Sequence, residues 1–454
     1  MSEPSWISEA IFYHIYPLGL CGAPSENDGS TPPIHRLASL QEWIPHLKSL
    51  GINAIYIGPI FESISHGYDT TNYHHIDRRL GSDDDFAALV DAFHQNGMRV
   101  ILDAVFNHVG RQFPAFLDVQ QQGQNSPYRD WFSGLDFSKS SPLGDPFTYD
   151  TWAGHYSLVK LNLKNPAVCT HLLDAVRSWF ERWHIDGLRL DAVDQVDLDF
   201  LRQLRQTTDA IHADAWLMGE SVHGDYKTWA NPEMIHSITN YECYKGLYSS
   251  HNDQNLFEIA YAFNRQSGEN GLYENLALYN FLDNHDVNRI ASMIKRQEYL
   301  NTLYILLYTM PGIPSIYYGS EWGIQAEKTD FSDRDLRPSL SLQQLQANPP
   351  APQLFPLLQQ LAGIRKSLPA LTTGGYQELL VQSKQLAFFR TNPQNSVLVA
   401  INIADEPVQV TLPIPIPERS WVDALHPQDV FTSDSNSLSV NIPAHGGRIL
   451  HLAN

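Results

Sequence analysis

Acidic and basic side chains end several short apolar stretches of this 454-residue chain. The stretches read DAVFNH, GLRLD, GES and NHD, and their polar ends are Asp103, Asn107, His108, Arg189, Asp191, Glu220, His285 and Asp286. If the stretches are parallel strands of one closed sheet, their carboxyl ends meet at one face, where the side chains can act together. A single aspartate after a strand is usually a turn or cap residue. Carboxylates at several strand ends instead indicate a catalytic site.

Asp191 and Glu220 have the chemistry of a carboxylate pair that hydrolyses glycosidic bonds. In that reaction one carboxylate attacks the anomeric carbon, and a protonated carboxyl about 5 Å away donates to the leaving oxygen. Arg189 precedes Asp191 by two residues, so both side chains point to one side of the strand, and the guanidinium should keep Asp191 ionised. Glu220 ends the apolar stretch WLMGE, an environment that favours the protonated carboxyl required of an acid.

Asp286 and two histidines, His108 and His285, complete the predicted site. A third carboxylate across the sheet can bind sugar hydroxyls as the ring distorts, and imidazoles can donate hydrogen bonds to the same ring. Carboxylates and histidines could also bind a metal ion, but the sequence has neither HExxH nor HxH spacing. We therefore favour catalysis by carboxylates over catalysis by a metal.

Predicted helices alternate with the strands over residues 35–320. In SDDDFAALVDAFHQNG, Ser82 can form a capping box with Asp85, and Gly97 ends the helix before the buried strand MRVILDAVF. Such repetition predicts a parallel sheet, open or closed. Candidate strands lie near Ile11, Ala54, Val100, Leu188, Leu217, Ile238, Leu278 and Ser315. Eight strands favour an α/β fold of the (β/α)₈ TIM-barrel type, with the sixth the weakest pattern.

Two regions interrupt this alternation. Residues 111–160 are rich in Gly, Pro, Ser and aromatic residues, which predicts a small domain B inserted after strand three, over the carboxyl face of the barrel. Residues 369–454 contain short alternating strands with Pro and Gly turns, which predicts a C-terminal antiparallel β-sandwich, domain C. Residues 1–110 and 161–368 form the predicted catalytic barrel, domain A.

The composition argues against several partners and compartments. The chain has 30 basic and 50 acidic residues and a net charge of −20, whereas nucleic acids and anionic membranes attract cationic surfaces. No apolar run has the length of a spanning helix, and MSEPSWISEA does not resemble a secretory signal. Cys21, Cys169 and Cys243 match neither a disulfide framework nor a metal site. We expect a cytoplasmic protein with reduced thiols, and the sequence sets no oligomeric state.

The strand-end motifs resemble the conserved blocks of glycoside hydrolase family 13, the α-amylase family. DAVFNH, GLRLDAVD, GES and FLDNHD occur in that family's order, together with GINAIYIGPIF, HGYDTTNY and GIPSIYYGSEWG. These blocks span residues 10–325, nearly the whole predicted barrel. The resemblance implies a barrel with an inserted domain B and a C-terminal β-sandwich, as predicted above. It also implies a retaining hydrolase of α-1,4-glucosidic bonds that works by double displacement.

The resemblance implies a role for each motif residue. By position, Asp191 matches the nucleophile, Glu220 the general acid/base and Asp286 the transition-state stabiliser. The residues matching ligands of the glucose at the cleaved bond are Arg189, His108, His285, Tyr68, whose ring stacks under that glucose, and Asp69, its partner. Asp333 and Arg337, four residues apart, resemble a pair that binds the next sugar. A surface ion pair is the competing interpretation of these two residues.

Two further segments, LVKLNLKNP and GLRLDAVDQVDLDFL, resemble the neopullulanase and cyclomaltodextrinase subgroup. The subgroup implies a cyclodextrin or α-glucan oligosaccharide substrate, with transglycosylation and α-1,6 cleavage as additional activities. Trp152 and Tyr156, in YDTWAGHY of domain B, would then overhang the cleft, and packing within domain B is the alternative. Subgroup members usually have an N-terminal β-domain that mediates dimerisation. Because this chain begins almost at its first barrel strand, we expect no dimer of that kind.

The resemblance also bears on calcium. Asn107 matches a calcium ligand of many α-amylases, whereas the AVD after Asp191 lacks the Lys-His pair of calcium-dependent members. We expect that no cofactor is required, with a structural calcium ion at Asn107 as the alternative.

Two other functions fit parts of the pattern. A glucosyltransferase or isomerase similar to amylosucrase or trehalose synthase would use the same carboxylates, and the products from maltotriose and from sucrose distinguish it from a hydrolase. A catalytically inactive glucan-binding homologue would have lost one or more of Asp191, Glu220 and Asp286, whereas this chain keeps all three.

Overall fold

The computed structural model describes residues 4–330, 332–414 and 419–453. Its central sheet consists of eight parallel strands, β1 (Phe12–Ile15), β2 (Ala54–Ile57), β3 (Arg99–Ala104), β4 (Gly187–Leu190), β5 (Trp216–Gly219), β6 (Ser237–Ile238), β7 (Tyr279–Phe281) and β8 (Ile313–Tyr317). They pair in the order β6-β5-β4-β3-β2-β1-β8-β7. A parallel bridge between Thr239 and Tyr279 joins the two ends, so the sheet closes. The predicted (β/α)₈ barrel is confirmed.

Helices cover the outside of the barrel. Those longer than ten residues are α1 (Asp83–Gln95), α2 (Pro166–Trp183), α3 (Leu198–Ile211), α4 (Tyr241–Asn252), α5 (Phe257–Ser267), α6 (Tyr299–Thr309) and α7 (Leu354–Ser367). Shorter helices span Pro17–Leu20, Ile44–Ser49, Pro114–Gln122, Ile290–Met293, Leu342–Ala347 and Ala370–Thr373. The capping box of Ser82 and Asp85 starts α1 as predicted. None of the described helices combines the length and apolar character that a membrane crossing requires.

A small sheet is inserted between β3 and β4. Its strands, His108–Gly110, His155–Lys160 and Thr151–Trp152, are antiparallel, and the helix Pro114–Gln122 precedes the last two in sequence. The first of these strands, His108–Gly110, lies just before residue 111, at which the sequence predicted that domain B begins. The change in composition at residue 111 does not mark this strand, because the apolar pattern of DAVFNH continues from the barrel into the insertion. A hairpin of Phe61–Ser63 and Thr70–Ile76 follows β2, and its loop contains Tyr68 and Asp69.

The C-terminal part is all β-structure. A six-stranded sheet and a two-stranded sheet enclose an apolar core around Trp421, Leu412 and Leu438. The strands are Gly375–Val381, Gln385–Thr391, Ser396–Asn402, Val408–Pro413, Ser420–Asp423, Val430–Thr432, Ser437–Ile442 and Gly446–Leu452. This agrees with the antiparallel sandwich expected from the alternating pattern.

Candidate active site

A cleft of about 1520 Å³ opens at the carboxyl ends of the barrel strands. The residues singled out in the sequence that line it are Tyr68, Asn107, His108, Trp152, Asp191, Glu220, Asp286, Asp333 and Arg337. Arg189 and His285 are buried and contact the carboxylates of this set. The closed sheet therefore brings the predicted strand-end residues together.

Arg189 connects the carboxylates of three neighbouring strand ends. Its Nη1 donates to Asp103 Oδ1 at 2.8 Å and to Asp191 Oδ1 at 3.1 Å, and its Nη2 lies 2.7 Å from Glu220 Oε2. The parallel pairing of β4 with β5 sets Arg189 beside Met218 and so brings Glu220 within its reach. One guanidinium thus holds Asp191 and Glu220 close together at the base of the cleft, although the sequence suggested an apolar environment for Glu220.

Burial changes the protonation of the site. Burial raises the pKa of the Asp191 carboxyl well above its ordinary value, Arg189 opposes this, and the carboxylates of Glu220 and Asp103 add to it. The cation was expected to dominate from the sequence, but burial among several acidic groups outweighs it. The surroundings of Asp191 therefore favour its protonated form, and Arg189 is the group that favours its ionised form.

Asp286 lies in the wall of the same cleft and contacts Arg337 and His285. Arg337 Nη2 is 3.0 Å from Asp286 Oδ1, and His285 Nε2 is 2.9 Å from Asp286 Oδ2. Burial acts to raise the pKa of Asp286, but His285 and Arg337 outweigh it and lower that pKa below the ordinary range. Asp286 is therefore an ionised carboxylate at neutral pH, and it lines the cleft.

Arg337 also joins Asp333 to this wall. Its Nη2 lies 2.5 Å from Asp333 Oδ2, and its guanidinium lies 4.6 Å from the ring centre of Tyr16. The Arg337 side chain is 8% exposed and that of Asp333 is 44% exposed. Since Arg337 is buried and binds Asp286 directly, the two residues do not form an isolated surface ion pair.

Tyr68 and His108 supply ring and imidazole groups around the carboxylates. The Tyr68 ring stacks on His285 at 5.4 Å, and its hydroxyl donates to Asp103 Oδ2 at 2.9 Å. Burial lowers the pKa of His108 to about 3, so its imidazole is neutral. Among the described residues, His108 Nε2 has no hydrogen-bond partner. That nitrogen is therefore available to a sugar hydroxyl.

Three other residues were predicted to belong to the site, and only one of them lines the cleft. Asp69 accepts hydrogen bonds from Ser65 N and Ser65 Oγ and stabilises the loop behind Tyr68, outside the cleft lining. Trp152 overhangs the cleft at the tip of the inserted hairpin, with its ring 5.9 Å from His108. Tyr156 packs inside the insertion, 5.3 Å from the Tyr149 ring, and is not part of the cleft lining.

Tyr241 and Asn284 belong to the site but were missed in the sequence. Tyr241 donates its hydroxyl to Glu220 Oε1 at 3.1 Å, and Asn284 Nδ2 donates to that same hydroxyl at 3.0 Å. Asn284 Oδ1 also accepts from Asp286 N, so it links the loops of both carboxylates. The signal was the pair Asn240-Tyr241 directly after β6, the two-residue strand with the weakest pattern.

A structural calcium ion at Asn107 stays a prediction. Asn107 Oδ1 is buried without a hydrogen-bond partner among the described residues, and an amide oxygen is a ligand that calcium accepts. In the described part of the chain, the cluster of acidic and histidine side chains with metal-ligand spacing is Asp423, His426 and Asp429, in the C-terminal part. Arg448 already binds both of those aspartates.

Comparisons with known proteins match both parts of the chain. The model of the α-amylase catalytic domain matches residues 25–351, and that of the maltogenic amylase C-terminal domain matches residues 376–449. A cyclomaltodextrinase from Bacillus sp is 32% identical over 418 residues, which cover 88% of this chain and 73% of the relative. Neopullulanase 2 of Thermoactinomyces vulgaris is 32% identical over 480 residues, covering 99% and 78%. The solved cyclic alpha-maltosyl-(1→6)-maltose hydrolase of Arthrobacter globiformis superposes with a TM-score of 0.83 at 26% identity, covering all of both chains.

Proposed function

Because the chain belongs to the α-amylase family, glycoside hydrolase family 13, we propose that Asp191, Glu220 and Asp286 are its catalytic residues. The chain is an α-glucan glycoside hydrolase. The observation that best supports the residue roles is the contact of one guanidinium, Arg189, with both Asp191 and Glu220. Two carboxyls held this closely are suited to the short separation of about 5 Å used by retaining enzymes.

In the first step Asp191 attacks the anomeric carbon while Glu220 donates its proton to the leaving oxygen. The bond to the leaving sugar breaks with its electron pair, and a covalent glycosyl ester forms on Asp191. Arg189 stabilises the charge of the nucleophile, and Tyr241 fixes the orientation of the Glu220 carboxyl through its hydroxyl. The charged Asp286, which lines the same cleft, stabilises the positive charge that develops on the sugar ring.

In the second step Glu220, now ionised, removes a proton from water. The water oxygen attacks the anomeric carbon, the ester bond breaks, and Asp191 leaves as a carboxylate. A sugar hydroxyl in place of water gives transglycosylation by the same route. The anomeric configuration of the product is the same as that of the substrate, because each step inverts it once.

The substrate we propose is a cyclodextrin, a maltooligosaccharide or a related α-glucan, cleaved at α-1,4 bonds. The names of the similar enzymes, a cyclomaltodextrinase and a neopullulanase, support this class. The wide cleft supports it also, because its lining includes the aromatic rings of Trp152, Tyr241 and Tyr244, on which sugar rings can pack. Free Cys21, Cys169 and Cys243 support our proposal that the protein works in the reducing cytoplasm.

Proton NMR of the products as they form tests the mechanism, because it measures their anomeric configuration. We expect α-anomers to appear first from maltotriose and to mutarotate later, and initial β-anomers would contradict a retaining enzyme. Asp191→Asn and Glu220→Gln should each lower kcat by about 10³-fold or more, since each removes a group that acts in bond cleavage. Variants that keep the wild-type rate would refute the assignment, and glucosyl transfer from sucrose would indicate the transferase alternative.

A further inference from the structure

A row of tyrosines leads from Glu220 out of the catalytic centre along helix α4. Tyr241 begins the helix beside Glu220, and Tyr244 and Tyr248 follow at intervals of three and four residues. Side chains at this spacing lie on one face of a helix. The ring centres are 6.0 Å apart between Tyr241 and Tyr244 and 5.2 Å apart between Tyr244 and Tyr248. All three rings line the same cleft as the catalytic carboxylates.

Helix α5 extends this row to the surface. Tyr261 lies on α5, lines the cleft and is 69% exposed. The charged residues nearby are paired with each other, Arg265 with Glu242 at 2.5 Å and Lys245 with Glu258. This surface therefore combines the half-buried ring of Tyr248 and the exposed ring of Tyr261 with balanced charges. That combination suits a neutral ligand better than an ionic one.

The position of Glu220 decides which end of a bound glucan faces these rings. The proton of Glu220 goes to the oxygen of the leaving sugar, so the wall beyond Glu220 faces the leaving-group side. Asp286 and Arg337, which pair at 3.0 Å, line another part of the same cleft. The row that starts at Tyr241 thus continues from the cleaved bond toward the distant units of the leaving chain.

We propose that Tyr248 and Tyr261 form a remote binding platform for the leaving-group part of long α-glucans. The inference rests on the proposed function, because it takes the direction of the chain from the role of Glu220. Sugar rings present flat C–H faces that pack on aromatic rings, and the platform is continuous with the cleft that holds the cleaved bond. Seven residues of helix, about 10 Å, separate Tyr248 from Tyr241, so a long leaving chain contacts more of the platform than a short one, and Tyr261 lies at its far, exposed end.

Kinetics with substrates of two lengths test the platform. Tyr261→Ala should lower kcat/KM for maltoheptaose by about five-fold, the size expected for one lost aromatic contact, mainly through a higher KM. The same variant should hydrolyse maltotriose like the wild type, because that substrate does not reach Tyr261. Tyr248→Leu, which keeps apolar packing at a half-buried position, should show the same dependence on length.

Phe257 provides a matched control on the same helix. It is an exposed aromatic residue, 49% accessible, but it does not line the cleft. Phe257→Ala should therefore leave both substrates unaffected. If Tyr261→Ala behaved like the wild type with maltoheptaose, or lost activity equally with both substrates, the platform would be refuted. If the wild-type protein hydrolysed neither substrate, the proposed function would fail instead, and calorimetric titration of unhydrolysed maltoheptaose into the same variants would still test the platform.

Discussion

At the scale of single residues, Arg189 determines the electrostatics of the site. It is almost fully buried and is shared by Asp103, Asp191 and Glu220. The spacing of Arg189 and Asp191 in one strand made their contact predictable, because side chains two residues apart share a face. The contact with Glu220 depends on the register of β4 against β5, which a single strand does not encode. The shared cation is linked to the pKa of the nucleophile, which it lowers against the effect of burial.

Replacing Arg189 with lysine tests this link. One ammonium cannot match the forked geometry of a guanidinium, so Asp191 loses part of the stabilisation of its charge. The pKa of Asp191 is already raised by burial, and we expect it to rise further. Because the nucleophile must be ionised, activity is lost as the pH falls through this pKa. The acid limb of the kcat/KM profile should therefore move to higher pH, and kcat should fall by about 10²-fold.

Arg182→Lys is the control for that change. Arg182 also binds an aspartate, Asp83, at 2.6 Å, but its side chain is 42% exposed and lies outside the cleft. Its replacement should leave the pH profile unchanged. An Arg189→Lys enzyme with the acid limb of the wild type would show that Arg189 does not control the ionisation of Asp191.

The roles of Asp333 and Arg337 could not be predicted from their spacing in the sequence. A spacing of four fits both a surface ion pair and a site residue, and only burial distinguishes them. Arg337 is buried because its guanidinium bonds to Asp286 Oδ1 and to the carbonyl oxygen of His285. Those partners lie about 50 residues earlier in the chain, which is why the sequence around DRDLR does not reveal them.

At the scale of elements, the tip of the inserted hairpin separates two aromatic residues that are close in sequence. Ala153 and Gly154 both have positive φ, 48° and 84°, and the register shifts at Trp152. As a result Trp152 faces the cleft while Tyr156 packs on Tyr149. The sequence YDTWAGHY predicted aromatic residues in the insertion but not which of them would face the substrate, since that depends on the turn.

Trp152→Ala tests the contribution of the hairpin to substrate binding. The ring lines the cleft 5.9 Å from His108 and carries no group that acts in bond cleavage, so its loss should weaken binding without slowing the chemical step. We expect KM for β-cyclodextrin to rise by about ten-fold, with kcat changed little. Tyr156→Phe, which removes only the hydroxyl beside Thr148, should leave KM unchanged. A large fall in kcat for Trp152→Ala, or equal effects of both variants, would contradict this assignment.

Strand β6 was the barrel strand that was hardest to predict from the sequence, because it is very short. It has only two residues, and closure of the sheet beyond it depends on a single bridge between Thr239 and Tyr279. Short strands contain too few positions to establish a pattern. Two residues that follow it have roles: Asn240 caps α4, and Tyr241 donates a hydrogen bond to Glu220. Because the strand before them had the weakest pattern, Tyr241 was not predicted as a residue of the site.

At the scale of the whole molecule, the barrel and the C-terminal sheet share one apolar core. Phe388 and Val399 of that sheet belong to the same buried cluster as the barrel helices. Phe263 on α5 lies 6.1 Å from the Phe388 ring, and Arg390 donates to the carbonyl oxygen of Thr309 at the end of α6 at 2.6 Å. Sequence patterns distinguished the two parts by their periodicity, but the contacts between them become visible only in the folded chain.

This shared core predicts that the two parts unfold together. Phe388→Ala removes a fully buried ring between them and should lower the free energy of unfolding by about 3–5 kcal/mol. Differential scanning calorimetry should show one transition at a lower temperature, and loss of maltotriose hydrolysis should follow the same transition. Val430→Ala, an exposed position in the strand Val430–Thr432 at the far edge of the sheet, should leave the midpoint nearly unchanged. Two separate transitions, with hydrolysis persisting after the first, would instead mean that the barrel is stable without the C-terminal sheet, because independently stable domains unfold separately.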